Sequence, residues 1–272
     1  IPGNYRFRYV DGTTGEEVTA FWPPGSEGFG AYWGPFLNDL KAHLKKKGWL
    51  DKTYIGINEN TLDETLTAIQ FIRANWAGWK ITYAGNWHPE LENLLNDYSF
   101  VKGKESSMNI VEERKAKGFT TTFYVCCTPP KPNTFLFSPP IEGRWISWYS
   151  AAYGYSGFLR WAYDAWPQDP NRDGRHGSWA AGDCYLVYPG ANSGIRFEKL
   201  REGISDYEKI SILKVKAAAS TDAKCKEMLV ELNKLMKSVA DEHAFNERTL
   251  KMQVDEGQKL IRELSDRLAI QK

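Results

Sequence analysis

Histidine, methionine and cysteine are scarce, with 4 of each in 272 residues. His43, His88, His176 and His243 stand far apart with no HExxH or other paired spacing, so no metal centre is expected and a zinc enzyme is disfavoured. Cys126, Cys127, Cys184 and Cys225 form no CxxC and identify no redox compartment. The adjacent Cys126-Cys127 reads as two ordinary thiols facing opposite sides of a strand. No apolar run approaches the roughly 18 residues of a membrane span. Charge of either sign is barely in excess, 35 Lys+Arg against 34 Asp+Glu, and no basic tract points to nucleic acid. A GxSxG elbow, a phosphate-cradling glycine loop, an internal repeat and a low-complexity tract are all lacking. The chain also lacks an initiating Met and opens on Ile1-Pro2, as expected of a processed protein or a cut-out fragment.

Aromatic residues are abundant instead: 11 Trp, 14 Tyr and 13 Phe. Such rings fill cores, and Trp and Tyr also offer flat faces on which sugar rings stack. The chain is organised around Tyr54-Ile55-Gly56-Ile57-Asn58-Glu59-Asn60, an apolar strand that runs straight into a helix. Thr61 with Glu64 three residues on predicts a capping box at that helix. In α/β folds ligands bind at the carboxyl ends of parallel strands, where Glu59 stands. The competing reading is that Glu59 only solvates the helix entry.

Before this stretch, residues 5–10 and 17–22 predict a hairpin arm, and Tyr32 to Lys47 a helix stopped by Gly48. After it come a helix to Gly78, a strand over 79–84 and a short helix over 89–95. Strands over 98–101, 120–127 and 157–163 alternate with helices over 108–117 and 142–152. This alternation of about five βα units means a parallel sheet. The long loop from Asp164 to Asp183 breaks the rhythm, and loops of that length are often functional. Within it, Asp169-Pro170-Asn171-Arg172-Asp173-Gly174 imitates the start of a calcium loop. Ala180 occupies the position of the bidentate Glu, so a hydrogen-bonded polar loop is expected. A short strand over 184–188 and helices over 196–219, 222–243 and 247–269 complete the chain. The organisation expected is a lead and hairpin arm (1–31), a sheet portion bearing the strand-end residues (32–195) and C-terminal helices (196–272).

Carboxylates and aromatics at strand ends remain as candidates: Glu59, Asn86, Tyr124, Trp161, Tyr163, Asp164 and Trp166. Glycoside cleavage needs a proton donor beside a sugar held on aromatic faces, which favours that chemistry modestly. Trp161 and Tyr163, two apart on one strand, equally suit a core face.

Several motifs then coincide with one family. Lys47-Gly48-Trp49-Leu50-Asp51-Lys52-Thr53-Tyr54-Ile55 resembles the lead into the catalytic strand of glycoside hydrolase family 123. Thr121 to Cys127, Gly157 to Tyr163, Trp179 to Asp183, Tyr188-Pro189-Gly190, Arg196-Phe197-Glu198 and Arg201-Glu202-Gly203-Ile204 resemble it too. The resemblance implies a TIM-type (β/α)8 barrel, here incomplete, that follows a β-sandwich in full-length members. It also implies β-N-acetylgalactosaminidase activity by substrate-assisted, retaining hydrolysis without a cofactor. Glu59 is then the acid/base, Asn58 stands at the acetamido-orienting position, and Asn86, Tyr124, Trp161, Tyr163 and Trp166 bind substrate. The partner implied is a glycan, at a secreted, periplasmic or cell-surface location. The family has Asp where this chain has Asn58, so a weakened enzyme or a non-catalytic carbohydrate-binding relative is expected. The resemblance places the first of the five strands fourth in the barrel. The open sheet edge is expected to be covered by missing N-terminal barrel strands, by a partner chain or by the C-terminal helices.

Overall fold

The computed structural model describes residues 5–103 and 108–269. They fall into two compact units, Ile1–Lys104 with Glu113–Thr121, and Glu105–Glu112 with Thr122–Lys272. The alternating pattern does produce an α/β fold. Strands β3 (Tyr54–Ile57), β4 (Lys80–Gly85), β5 (Asp97–Val101), β6 (Thr120–Tyr124) and β7 (Phe158–Leu159) form one parallel sheet in chain order. The sheet is open, with β3 and β7 at its edges.

In the first unit, β1 (Arg6–Val10) and β2 (Glu17–Phe21) pair as the expected antiparallel hairpin. Helix α1 spans Glu27–Lys47, five residues earlier than the expected start at Tyr32, because the Ser26 hydroxyl caps the Phe29 amide. Gly48 ends it in the left-handed conformation at φ 69°. The aromatic surplus of this region is spent on packing. Phe29 is buried, 5.3 Å from Phe71 and 6.0 Å from Trp76, and Phe7 lies 4.7 Å from Tyr32. Helix α2 (Leu62–Asn75) begins with the predicted reciprocal cap between Thr61 and Glu64, which fixes the chain direction just after Glu59. The segment expected as a helix over 89–95 is only one 3₁₀ turn, Pro89–Leu91. Arginines take the carbonyls that follow: Arg73 that of Leu94, and the buried Arg114 those of Glu92 and Leu95.

After α3 (Met108–Ala116), α4 (Pro140–Tyr153) in the second unit carries Trp145, Trp148 and Tyr149 into the core. It packs with α5 (Ile195–Ala219), α6 (Ala223–Ala240) and α7 (Glu247–Ala269). Helical spacing predicts two apolar stripes, Leu229, Leu232, Leu235, Met236, Val239 and Leu250, Val254, Leu260, Ile261, Leu264, Leu268; all are buried except Leu229 and Leu268, which are half-buried. Asp206, buried on α5, accepts hydrogen bonds from Arg144 Nε (2.7 Å), Trp148 Nε1 (2.9 Å) and Gln258 Nε2 (2.6 Å). That carboxylate thereby ties α5 to both α4 and α7. Gly257 permits the close approach, since a Cβ there would lie 2.0 Å from the Trp148 ring.

Three strand expectations are corrected. β6 stops at Tyr124 rather than Cys127, because the Cys126 amide bonds to the Thr128 carbonyl and the Cys126 carbonyl to Asn133 Nδ2. β7 has 2 residues rather than reaching Tyr163, because Arg160 turns inward as a charged group that needs a polar partner. Residues 184–188 make isolated bridges, Asp164 with Tyr185 and Tyr188 with Asn192, rather than a strand.

Candidate active site

At the end of β3 the pleat gives way to a bend, and Asn58 and Glu59 are both exposed. Ile57 pairs in register with Tyr83 of β4. The Tyr83 ring folds along its own strand over Gly85: a Cβ at residue 85 would stand 2.5 Å from the Tyr83 hydroxyl. Only glycine tolerates that approach. The phenol is thereby carried toward the carboxyl end of β4, where it feels the Glu59 charge. Burial and then the Glu59 charge push the Tyr83 pKa up, so the phenol stays protonated. Asn86 is exposed immediately after β4. Its carbonyl accepts the Tyr98 hydroxyl at 2.6 Å, and the same hydroxyl accepts the His88 amide at 2.9 Å. Burial raises the Tyr98 pKa strongly, which keeps the phenol protonated and the turn pinned.

The second unit holds the other candidates. Tyr124 is buried, 6% exposed, at the end of β6. Trp161, Tyr163 and Trp166 are exposed by 45%, 49% and 39%, so the first two are not core residues. Trp166 Nε1 donates to the Val187 carbonyl at 2.8 Å, and the Tyr163 ring meets Phe197 edge-on at 6.1 Å. Beneath them lies an ion pair that sequence reasoning missed. Arg160 Nη2 and Asp183 Oδ1 are 2.6 Å apart, with side chains 5% and 0% exposed. Arg160 also donates to the Val125 carbonyl at 2.7 Å and thus ties the end of β6 to the close of the long loop. A charge inside the otherwise apolar run Gly157 to Trp161 was the signal for such a partner. Tyr83 also went unremarked; Gly85 two residues beyond it was the clue.

Removing Asp183 would leave the Arg160 guanidinium buried without its counter-charge. Asp183→Ala is expected to cost about 3–5 kcal/mol, a drop of roughly 10 °C in Tm, read by circular dichroism. A Tm within about 2 °C of the parent would mean that the pair does not hold this loop.

The calcium-like segment is a hydrogen-bonded turn, as expected. Asp169 Oδ1 accepts the Asn171 amide at 3.2 Å, and the Arg175 guanidinium holds the Asp173 carboxyl down at about 2. Among the described residues no group of three or more His, Cys, Asp or Glu could hold a metal ion. Cys126 and Cys127 are free thiols, but they do not face opposite sides of a strand as expected: they lie beyond the end of β6, with their sulfurs 3.8 Å apart.

Comparison with known proteins adds the following. The family model for the glycoside hydrolase 123 catalytic domain matches residues 2–213. A solved family 123 glycoside hydrolase from Clostridium perfringens, from structural work on glycolipid glycan hydrolysis, is 25% identical with a TM-score of 0.78. The similarity covers 98% of this chain and 50% of that one, so the present chain spans half the length of that enzyme. No curated protein matches.

Proposed function

The chain belongs to glycoside hydrolase family 123, and on that premise we propose that it hydrolyses β-N-acetylhexosaminides, N-acetylgalactosaminides foremost. The observation that carries the proposal is Glu59, exposed at the carboxyl end of β3 just before a capped helix. The route is substrate-assisted and retaining. The 2-acetamido oxygen attacks the anomeric carbon as the glycosidic C–O bond breaks, and Glu59 gives its proton to the departing oxygen. Water then opens the bicyclic intermediate from the opposite face, returning a proton to the Glu59 carboxylate. Asn58 orients the acetamido group. Every bond change is carried by the carboxyl group and the substrate's own amide, so the route calls for no cofactor.

Asn86, Tyr124, Trp161, Tyr163 and Trp166 are assigned to sugar binding. The three exposed rings support this directly; for the buried Tyr124 the role would be to shape the strand end. The open sheet is proposed as part of a (β/α)8 barrel. A cavity of about 340 Å³ beside β7, lined by Phe158, Leu186, Phe197 and Leu200, supports a further strand at that edge. Arg160 Nε and Ser150 Oγ, which also belong to lining residues, are buried without a protein partner. Action on glycans goes with a secreted, periplasmic or cell-surface location.

Asn58 itself favours a second reading, a carbohydrate-binding relative without turnover, because an amide carries no charge to offset the one that develops on the acetamido nitrogen. The two separate on nitrophenyl β-GalNAc and β-GlcNAc glycosides, measured beside binding of the same sugars. Release of nitrophenol is expected. Binding without release would leave the second reading standing.

A further inference from the structure

We propose that Trp161 and Trp179 form a corner that binds one pyranose ring of the glycan; the choice of ligand rests on the glycoside hydrolase reading. Trp179 sits in the long loop and belongs to none of the assignments above. Its indole is 42% exposed, against 45% for Trp161, and the two centroids lie 5.3 Å apart at an interplanar angle of 60°. Two broad apolar surfaces thus meet at an angle and stay open to solvent, although the core of this unit buries Trp145 and Trp148 completely.

The corner is held before any ligand arrives. Trp161 Nε1 lies 3.5 Å from Asp183 Oδ1, the oxygen that also takes Arg160. The four residues after Trp179 are clamped in turn. The Asp183 amide bonds to the Ala180 carbonyl at 2.9 Å, the Leu136 amide to the Ala181 carbonyl at 2.9 Å, and Arg196 Nη1 to the Gly182 carbonyl at 2.9 Å. Gly182 has φ +86°, and a Cβ there would lie 2.6 Å from Arg196 Nη1, so the clamp requires glycine. A platform fixed in this way loses little conformational entropy on binding.

A pyranose ring fits this corner. It has a C–H face that packs on an indole and a rim of hydroxyls that stay in solvent beside the exposed rings. Galacto-configured sugars gather the hydrogens of C3, C4 and C5 on one side, which gives them an apolar face to set against the indoles.

The test is calorimetric binding of a thio-linked GalNAcβ1→3Gal disaccharide, which cannot be hydrolysed. Trp179→Ala and Trp161→Ala, each at an exposed ring, are expected to raise Kd roughly tenfold, near the upper value for one aromatic contact. The double variant should stay close to either single one, because half a corner holds the ring little better than none. A Trp179→Ala protein that binds within about twofold of the parent overturns the proposal, as do losses that multiply to about a hundredfold. The oxygen-linked disaccharide separates this from the catalytic reading. Trp179-dependent binding without hydrolysis removes the proposed chemistry and keeps the corner; hydrolysis with Trp179-independent binding does the reverse.

Discussion

Replacing Glu59 with glutamine is expected to lower hydrolysis of an alkyl-linked β-N-acetylhexosaminide by roughly 10²–10⁴-fold, the range of general acid–base catalysis. The amide fills the same space but has no proton to give the leaving oxygen. The size of the loss should follow the leaving group. A sugar alkoxide is a poor anion and must be protonated as it departs, whereas nitrophenolate is stable without that help. On the nitrophenyl glycoside the first step should therefore suffer much less, and the remaining deficit should lie in the water-dependent second step. Glu59 is exposed and forms no part of the core, so the variant should fold and melt like the parent. If the alkyl glycoside is cleaved at the parental rate, Glu59 is not the acid/base.

Asn58→Asp is expected to act in the opposite direction and raise turnover by about 10²–10³, the usual worth of one preorganised electrostatic group. As the acetamido oxygen bonds to the anomeric carbon, positive charge grows on the amide nitrogen. A carboxylate at that N–H offers a charge-assisted hydrogen bond that the Asn58 side chain cannot match. Asn58 follows the last residue of β3 and is exposed, so a new carboxylate there is solvated and carries little folding cost. The gain should appear in kcat, because the charge exists only on the way to the transition state. An unchanged or slower rate in a folded Asn58→Asp protein would remove Asn58 from the acetamido site and bring the binding-only reading forward.

Features that rest on neighbours along the chain were legible before any fold was known. Thr61 and Glu64 are three residues apart, and their cap formed where the spacing placed it, just after Glu59. The apolar runs with glycine stops produced five strands in chain order, and the leucine stripes of α6 and α7 turned inward because helical period alone puts them on one face. Family membership was legible as well, in short motifs spread along the chain. Register and distant closure, by contrast, depend on the folded chain. Tyr83 comes opposite Ile57, within the influence of the Glu59 charge, through the pairing of β3 with β4, and no local rule sets that register. Arg160 meets Asp183 across 23 positions of chain, and that meeting shortened β7 and lifted Trp161 out of the core face that its alternation allowed. Trp179 likewise reaches Trp161 only because the loop closes on this buried pair. A charged side chain in an apolar strand needs a counter-charge somewhere, but its address depends on how the whole loop folds back.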